Sequence, residues 1–190
     1  MRLVAATGNV GKLEEIRLIL GPSFSIVGRP DIPEPVEDGE TLLDNARIKA
    51  RAVVEATGAP AIADDTGLFV DALDGAPGVH TARYAGEDCT YEDNWRKLLR
   101  ELGSSADRRA QWRTIALVLW PDGREVWAEG TCDGVIVHEA RGAHGFGYDP
   151  VFTPDGASGR TFAEMSTEEK SAVSHRGAAF RSLAAKLTSS

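Results

Sequence analysis

Two adjacent carboxylates, Asp64 and Asp65, follow a short apolar run at residues 61–63 and precede Thr66 and Gly67. We predict a strand that ends at these acids and points them towards a site. Side chains alternate across a strand, so the two carboxylates should face opposite ways and only one should serve a given site. The alternative is an ordinary turn, because Asp, Thr and Gly are also common turn residues.

A glycine turn near the N-terminus could bind an anion. It lies between a predicted strand at residues 2–6 and a predicted helix whose apolar residues recur at helical spacing. Asn9 is a suitable N-cap, and the first N–H groups of such a helix can bind phosphate. The turn is not a Walker A loop, because Ala6 and Leu13 stand where that motif has Gly and Ser or Thr. A plain strand-to-helix connection is the alternative. The residues of the turn are Thr7, Gly8, Asn9, Val10, Gly11 and Lys12.

Charged side chains follow in the next part of the chain. The proline-punctuated segment 30–38 is predicted to be extended, and a helix is predicted from about Thr41, with Asp44 in a capping-box position. Asn45 and Lys49 lie one turn apart on the flank of the apolar stripe of that helix. A lysine there can reach a cleft; a solvated lysine is the alternative. The extended segment carries the acids Asp31, Glu34, Glu37 and Asp38.

The segment 142–150 contains three glycines that bracket two aromatic residues. We predict a loop that presents Phe146 and Tyr148. An aromatic ring that stacks on a nucleobase contributes about 1–3 kcal/mol. The alternative is that these rings plug the hydrophobic core.

The last helical stretch begins at Ser166, with Glu169 in the capping-box position, and is interrupted at residues 174–177. We predict a second N-cap there, which would splay His175 and Arg176 out of the helix. Together with Lys170, these two residues form a cationic cluster in an acidic chain.

The remaining predicted elements are a mixture of helices and strands. A short strand is predicted at 69–73 and a helix at about 90–102. Two strands, at 112–120 and 125–137, are joined at a Pro-Asp-Gly turn, which is a strong hairpin signal. Alternating helices and strands with one antiparallel pair predict an α/β fold with a mixed sheet.

Length and charge exclude several classes of protein. A chain of 190 residues fits one large domain or two lobes that share a sheet, and its net charge of -8 argues against non-specific binding to nucleic acid. No segment approaches the roughly 20 apolar residues of a membrane span, and the N-terminal apolar run is too short for a signal peptide. Cys89 and Cys132 are the only cysteines, which favours a reducing cytoplasm over a disulfide framework.

Cationic donors, carboxylates and an aromatic loop together suit a nucleoside triphosphate that is held with a metal ion. The segments that carry them resemble, in order, the motifs of the inosine triphosphate pyrophosphatase family. These are house-cleaning enzymes that act on dITP, ITP and XTP. The resemblance covers nearly the whole chain, through segments 7–12, 38–50, 63–68, 75–78, 145–150 and 169–176.

The resemblance implies a two-lobed α/β fold with a long mixed sheet flanked by helices and an active-site cleft between the lobes. It also implies a homodimer and Mg²⁺ dependence. With the cysteine content, charge and hydropathy described above, we predict a single cytoplasmic domain over residues 1–190 with no nucleic-acid or membrane partner. The implied reaction is hydrolysis between the α and β phosphates, which gives a nucleoside monophosphate and pyrophosphate.

The resemblance also assigns roles by position in the motifs. Asp65 would be the general base and a metal ligand, and Thr66 would contact the substrate. The turn 7–12 and Lys49 would bind the triphosphate. The residues that would surround the base are Phe146, Gly147, Tyr148, Asp149, Lys170, His175 and Arg176.

One position departs from the family pattern. Many relatives have a metal-binding glutamate three residues before the glycine that matches Gly39, and this chain has Val36 there. We take the neighbouring Glu37 as the second metal ligand, with Glu34 as the alternative.

Selectivity should depend on the purine 6-position. Donors from Arg176 or His175 would meet a 6-keto oxygen and would be left unpaired by adenine, and such a mismatch can cost a factor of about 10⁴–10⁵. Two other functions stay open: a related nucleotide pyrophosphatase with a different base preference, and a non-catalytic nucleotide sensor. A DNA-binding protein is disfavoured by the charge and by the lack of a recognition motif.

Overall fold

The computed structural model describes residues 1–189; Ser190, the last residue of the predicted domain, lies outside the described residues. The chain forms two compact units. The first unit comprises Met1–Asp65, Thr114–Gly130 and the stretch from His175 onward, and the second comprises Thr66–Arg113 and Thr131–Ser174. The single domain over residues 1–190 stays a prediction.

Within residues 1–189, seven strands form a mixed sheet with the order β2-β1-β3-β5-β6-β7, and β4 pairs with β3. β1 runs parallel to β2 and β3, whereas the pairs β3–β4 and β6–β7 are antiparallel. The predicted α/β class with a mixed sheet is confirmed. The strands are β1 (Arg2–Ala5), β2 (Ser25–Val27), β3 (Ala61–Val70), β4 (Pro77–Gly78), β5 (Arg109–Leu119), β6 (Glu125–Ile136) and β7 (Phe152–Pro154).

Four helices begin at side-chain caps, and those at Asn9, Thr41 and Ser166 confirm the predicted caps. The side chains of Asn9, Thr41, Thr90 and Ser166 each accept a hydrogen bond from a backbone N–H of the following first turn. None of the described helices is long and apolar enough to cross a membrane. The helices are α1 (Val10–Leu20), α2 (Leu42–Thr57), α3 (Tyr91–Leu102), α4 (Thr167–Val173) and α5 (His175–Thr188).

The strand that carries Asp64 and Asp65 does not end at them, so that prediction is wrong. β3 continues to Val70, through the place where a separate strand was predicted, and its later residues pair with β4. The strand that ends beside these two acids in the sheet is β1. Because Ala5 pairs with Ile62, the chain leaves β1 and turns into α1 beside the two acids.

Each unit has its own hydrophobic core. In the first unit, Leu3, Ile62 and Phe180 are fully buried together. In the second unit, Leu68, Trp112, Phe152 and Phe162 pack in a second cluster. The positions of the site residues follow from the helices and strands that contribute to these cores.

Asn45 and Lys49 lie one turn apart on α2, as predicted, and both are buried, at 2% and 8% exposure, because polar partners meet them inside. The alternative of a solvated lysine is therefore wrong. His175 and Arg176 are not splayed out: the predicted break occurs at Ser174, whose backbone is extended, and α5 begins at His175.

The start of α5 packs very closely on β6. A Cβ atom at Gly130 would lie 2.2 Å from the His175 carbonyl oxygen and 2.3 Å from the Ala179 nitrogen. Only a glycine allows this approach, which places His175 and Arg176 against the sheet of the first unit.

Candidate active site

Asp64 lies between two cations in the first unit. Lys12 Nζ is 3.5 Å from Asp64 Oδ2, and Nε and Nη2 of Arg176 each donate to the same oxygen at 3.3 Å. Burial would raise the pKa of Asp64, but Lys12 and Arg176 outweigh burial and hold this pKa well below its usual range. Asp64 is therefore a permanently charged anchor for two cations, and a poor proton acceptor.

Glu15 is a member of this network that the sequence analysis missed. It is 6% exposed in α1 and accepts a hydrogen bond from Arg176 Nη1 at 2.7 Å. Burial would lower the pKa of Arg176, but Asp64 and Glu15 outweigh it and the pKa is raised. In the sequence, the only signal that Glu15 is buried is its position one helical turn before Ile19, which packs against the core.

Asp65 has a different set of partners, as the alternation of side chains along the strand predicted. Lys49 Nζ donates to Asp65 Oδ1 at 2.6 Å, and Asn45 Nδ2 donates to Oδ2 at 3.3 Å. Burial raises the pKa of Asp65, although Lys49 opposes this shift. A carboxylate with a raised pKa is a better proton acceptor than an ordinary one.

Lys49 also connects Asp65 to a second acid. Its Nζ lies 3.2 Å from Glu37 Oε2. Burial would lower the pKa of Lys49, but its attraction to Asp65 and Glu37 outweighs burial and the pKa is raised. Glu34, the alternative second acid, instead pairs with Arg29 at 3.3 Å. The structure therefore groups Glu37, and not Glu34, with Asp65.

The donor set around Asp65 fits a hard divalent cation. Mg²⁺ is commonly bound by one or two carboxylates together with substrate phosphates and water. Asp65 and Glu37 provide two carboxylates, and Lys49 donates a hydrogen bond to each of them. No group of three or more His, Cys, Asp or Glu side chains among residues 1–189 could hold a metal by itself. Such a site would be completed by the phosphates.

The glycine turn places donors next to the Asp64 network. The Asn9 side chain accepts from Lys12 N, and Thr7 Oγ1 accepts from Asn9 N, both at 3.1 Å. Burial lowers the pKa of Lys12, against the attraction of Asp64. Val10 and Gly11 have no polar side-chain atoms, so they can contribute only backbone donors, as expected for an anion site at a helix N-terminus.

In the second unit, three predicted base-binding residues come together. Asp149 Oδ2 accepts from Lys170 Nζ at 2.7 Å and from the Phe146 backbone N–H at 2.8 Å. The Lys170 ammonium also lies 4.6 Å from the centre of the Phe146 ring. Asp149 and Lys170 are each 4% exposed, whereas Phe146 is half buried. The loop therefore offers one partly accessible ring beside a buried ion pair.

Tyr148 is not presented by this loop, so that part of the prediction is wrong. Its side chain is 2% exposed, packs edge-on against Trp112 and donates its hydroxyl to the Thr81 carbonyl at 2.9 Å. Burial raises the pKa of Tyr148. Tyr148 therefore belongs to the hydrophobic core, as in the alternative that these rings plug it.

Two other predicted substrate-binding residues have these positions: Gly147 has a φ of +63°, and Thr66 is half buried in β3.

Comparisons with known proteins give one consistent family. A family model described as the Ham1 family matches residues 3–186. A Streptomyces avermitilis protein named dITP/XTP pyrophosphatase is 47% identical over 190 residues, which cover 96% of this chain and 94% of the relative.

Solved structures agree with this match. The Staphylococcus aureus Ham1 protein superimposes with a TM-score of 0.86 at 38% identity, and the match covers 100% of this chain and 99% of that one. A Mycobacterium abscessus protein described as nucleoside-triphosphatase / dITP/XTP pyrophosphatase has a TM-score of 0.74 at 41% identity, over 98% and 97% of the two chains.

Removal of the Glu15 carboxylate should destabilise the protein. Glu15→Ala leaves Arg176 buried with Asp64 as its remaining carboxylate, so we expect the free energy of unfolding to fall by about 3 kcal/mol, the lower end of the range for a broken buried ion pair. Urea unfolding followed by circular dichroism measures this change. The matched control is the exposed neighbour, Glu14→Ala, which should change stability by about 0.5 kcal/mol or less. Equal stability of both variants would contradict the buried network.

Proposed function

Because this chain belongs to the Ham1 family, we propose that it hydrolyses dITP, ITP and XTP to the nucleoside monophosphate and pyrophosphate. The chain would thereby remove deaminated purines from the nucleotide pool. Relatives named dITP/XTP pyrophosphatase support this substrate class. The observation that carries the proposal is the cluster of Asp65, Lys49 and Glu37, in which a buried carboxylate with a raised pKa lies against a cation and a second acid.

We propose Mg²⁺ as the cofactor, with Asp65 and Glu37 as its protein ligands. In the first unit, the cations Lys12, Lys49 and Arg176 face the carboxylates of Glu15, Glu37, Asp64 and Asp65. A triphosphate that entered this cluster would meet a surplus of negative charge. The bound ion would supply the compensating positive charge and would polarise the phosphate oxygens.

Asp65 acts as the general base. It accepts a proton from the attacking water while the water oxygen forms a bond to the α-phosphorus. The bond from the α-phosphorus to the bridging oxygen breaks, and pyrophosphate leaves. Lys12 and Lys49 stabilise the negative charge that develops on the bridging oxygen. Lys49 can do so while it holds Asp65, because an ammonium has three donors and two of them meet Asp65 and Glu37.

The remaining predicted residues bind the nucleotide. We assign the triphosphate to the turn 7–12 and a further substrate contact to Thr66. Phe146 stacks on the base, and Asp149 and Lys170 bind its polar edge together with the backbone of residues 147–148.

His175 and Arg176 provide donors for the 6-keto oxygen of the purine. Asp64 and Glu15 engage one donor on each of the three guanidinium nitrogens of Arg176.

We also propose a homodimer, on the basis of the family resemblance, and a cytoplasmic location, on the basis of the two cysteines. Sedimentation velocity at micromolar protein concentration distinguishes a dimer from the 20.3 kDa monomer.

The first test is pyrophosphate release from ITP, XTP, GTP and ATP, each with and without Mg²⁺. We expect metal-dependent turnover of ITP and XTP and little turnover of ATP, which lacks the 6-keto oxygen. GTP keeps that oxygen, so the little turnover that we expect of GTP requires the site to disfavour its 2-amino group. The same assay with dTTP and UTP tests the alternative base preference, and rapid turnover of only these pyrimidines would contradict our proposal. Tight binding of ITP without hydrolysis at any Mg²⁺ concentration would indicate a nucleotide sensor.

Asp65→Asn should abolish turnover while nucleotide binding largely survives. Asparagine keeps the shape of the aspartate side chain but cannot act as the general base. We expect a fall in kcat of about 10²–10⁴, the usual contribution of a general base, measured with ITP under saturating Mg²⁺. Asp133→Asn, which changes an exposed carboxylate on β6, should be fully active. Near-normal activity of Asp65→Asn would remove Asp65 from the role of base.

Phe146→Ala should weaken binding of the base and leave the chemical step intact. Loss of a stacking contact of about 1–3 kcal/mol corresponds to a rise in the KM for ITP of roughly 5- to 150-fold. Trp127→Ala removes another partly exposed ring, in the first unit, and should not change KM. A Phe146→Ala protein that is unfolded by circular dichroism would instead assign Phe146 to the core.

A further inference from the structure

Asn45 is a buried polar residue that the proposed mechanism does not use. It lies in α2, one turn before Lys49, and is 2% exposed. A buried amide is costly unless its donors and acceptor are hydrogen bonded. The bonds of the Asn45 amide lead to Asp65 on one side and to the backbone at Gly39 on the other.

The Gly39 backbone determines how the Asn45 amide is turned. The Gly39 N–H donates to Asn45 Oδ1 at 2.9 Å. Since a backbone N–H requires an acceptor, only the carbonyl end of the amide can face it, and the NH₂ end must face the other way. On that side the NH₂ group donates to Asp65 Oδ2 at 3.3 Å.

Asn45 and Lys49 hold the two oxygens of Asp65 separately. Lys49 donates to Oδ1 at 2.6 Å and Asn45 donates to Oδ2. One donor alone would allow the carboxylate to rotate about its Cβ–Cγ bond, whereas two donors on different oxygens determine its plane. The spacing of four residues on α2 brings both donors to the same face of the helix.

The hydrogen bond between the position 39 backbone and Asn45 requires a glycine at position 39. A Cβ atom at position 39 would lie 2.6 Å from Asn45 Oδ1 and 2.8 Å from Asp44 Cβ. Only glycine lets the backbone come close enough for the bond to Asn45. Because Glu37 is two residues earlier, this bond anchors the segment of the second acid to the helix that also holds Asp65.

We propose that Asn45 is a positioning residue for the reaction. Its amide, oriented by the Gly39 N–H, sets the carboxylate plane of Asp65 and anchors the segment that carries Glu37. Asn45 acts through these groups and does not itself touch the substrate. The inference rests on the proposed function of Asp65 and deepens it.

Two substitutions separate the two bonds of Asn45. Asn45→Ala removes both bonds. Asn45→Asp keeps an acceptor for the Gly39 N–H but replaces the donor to Asp65 with a carboxylate that repels it. The matched control is Asn94→Ala in α3, because Asn94 is 1% exposed and its amide likewise both accepts, from Ala85 N and Cys89 Sγ, and donates, to the Ala82 carbonyl.

We expect kcat for ITP to fall about 10- to 100-fold in both Asn45 variants, the usual effect of losing a residue that orients a metal ligand or a base. The KM for ITP should stay within about two-fold. Asn94→Ala should keep its kcat at temperatures where it is folded. A kcat near that of the wild type in Asn45→Asp, or an equal loss of kcat in Asn94→Ala, would overturn the positioning role.

One measurement without nucleotide tests the arrangement independently of activity. Hydrogen exchange followed by NMR should show the Gly39 amide protected in the wild type and in Asn45→Asp, and unprotected in Asn45→Ala. An unprotected Gly39 amide in the wild type, or an equally protected one in Asn45→Ala, would overturn the inference. Failure of the wild type to hydrolyse ITP would instead refute the proposed function, and the exchange result would still decide the role of Asn45.

Discussion

A carboxylate buried in a strand can stay charged only where cations lie against it, and β3 carries two such carboxylates in succession. Asp64 and Asp65 are 3% and 7% exposed. An unpaired charge in such a place costs several kcal/mol, so each acid requires a partner from elsewhere in the fold. α1, α2 and α5 each supply one cation, namely Lys12, Lys49 and Arg176. The packing of three helices in the first unit therefore depends on the charges of one strand.

The two neighbouring acids are suited to different tasks because their surroundings differ. Two cations lower the pKa of Asp64, whereas burial raises the pKa of Asp65 and Lys49 only partly offsets it. The alternation of side chains along β3 is what allows one dipeptide to have two environments. In the proposed mechanism, one acid thus organises the cations that bind phosphate, and the other accepts a proton.

In the second unit, a buried ion pair likewise determines the conformation of a loop. The buried pair of Asp149 and Lys170 also binds the Phe146 backbone, and Gly145 has a φ of +76° at a point where a Cβ atom would lie 2.0 Å from Asp149 Oδ2. The ion pair therefore holds a partly exposed aromatic ring in one place, which a flexible glycine loop could not do alone.

Local interactions determined what could be predicted from the sequence. The caps at Asn9, Thr41 and Ser166, the hairpin at 121–123 and the break at Ser174 depend on residues within a few positions of each other, and all were predicted. The family also followed from the sequence, because its motifs are short and occur in order. Tertiary structure decided the continuation of β3, the burial of Asn45 and Lys49, the role of Glu15 and the place of Tyr148. Each of these depends on a partner that is distant in sequence, as Arg176 is from Asp64 by 112 residues, and no local pattern specifies which charges will meet.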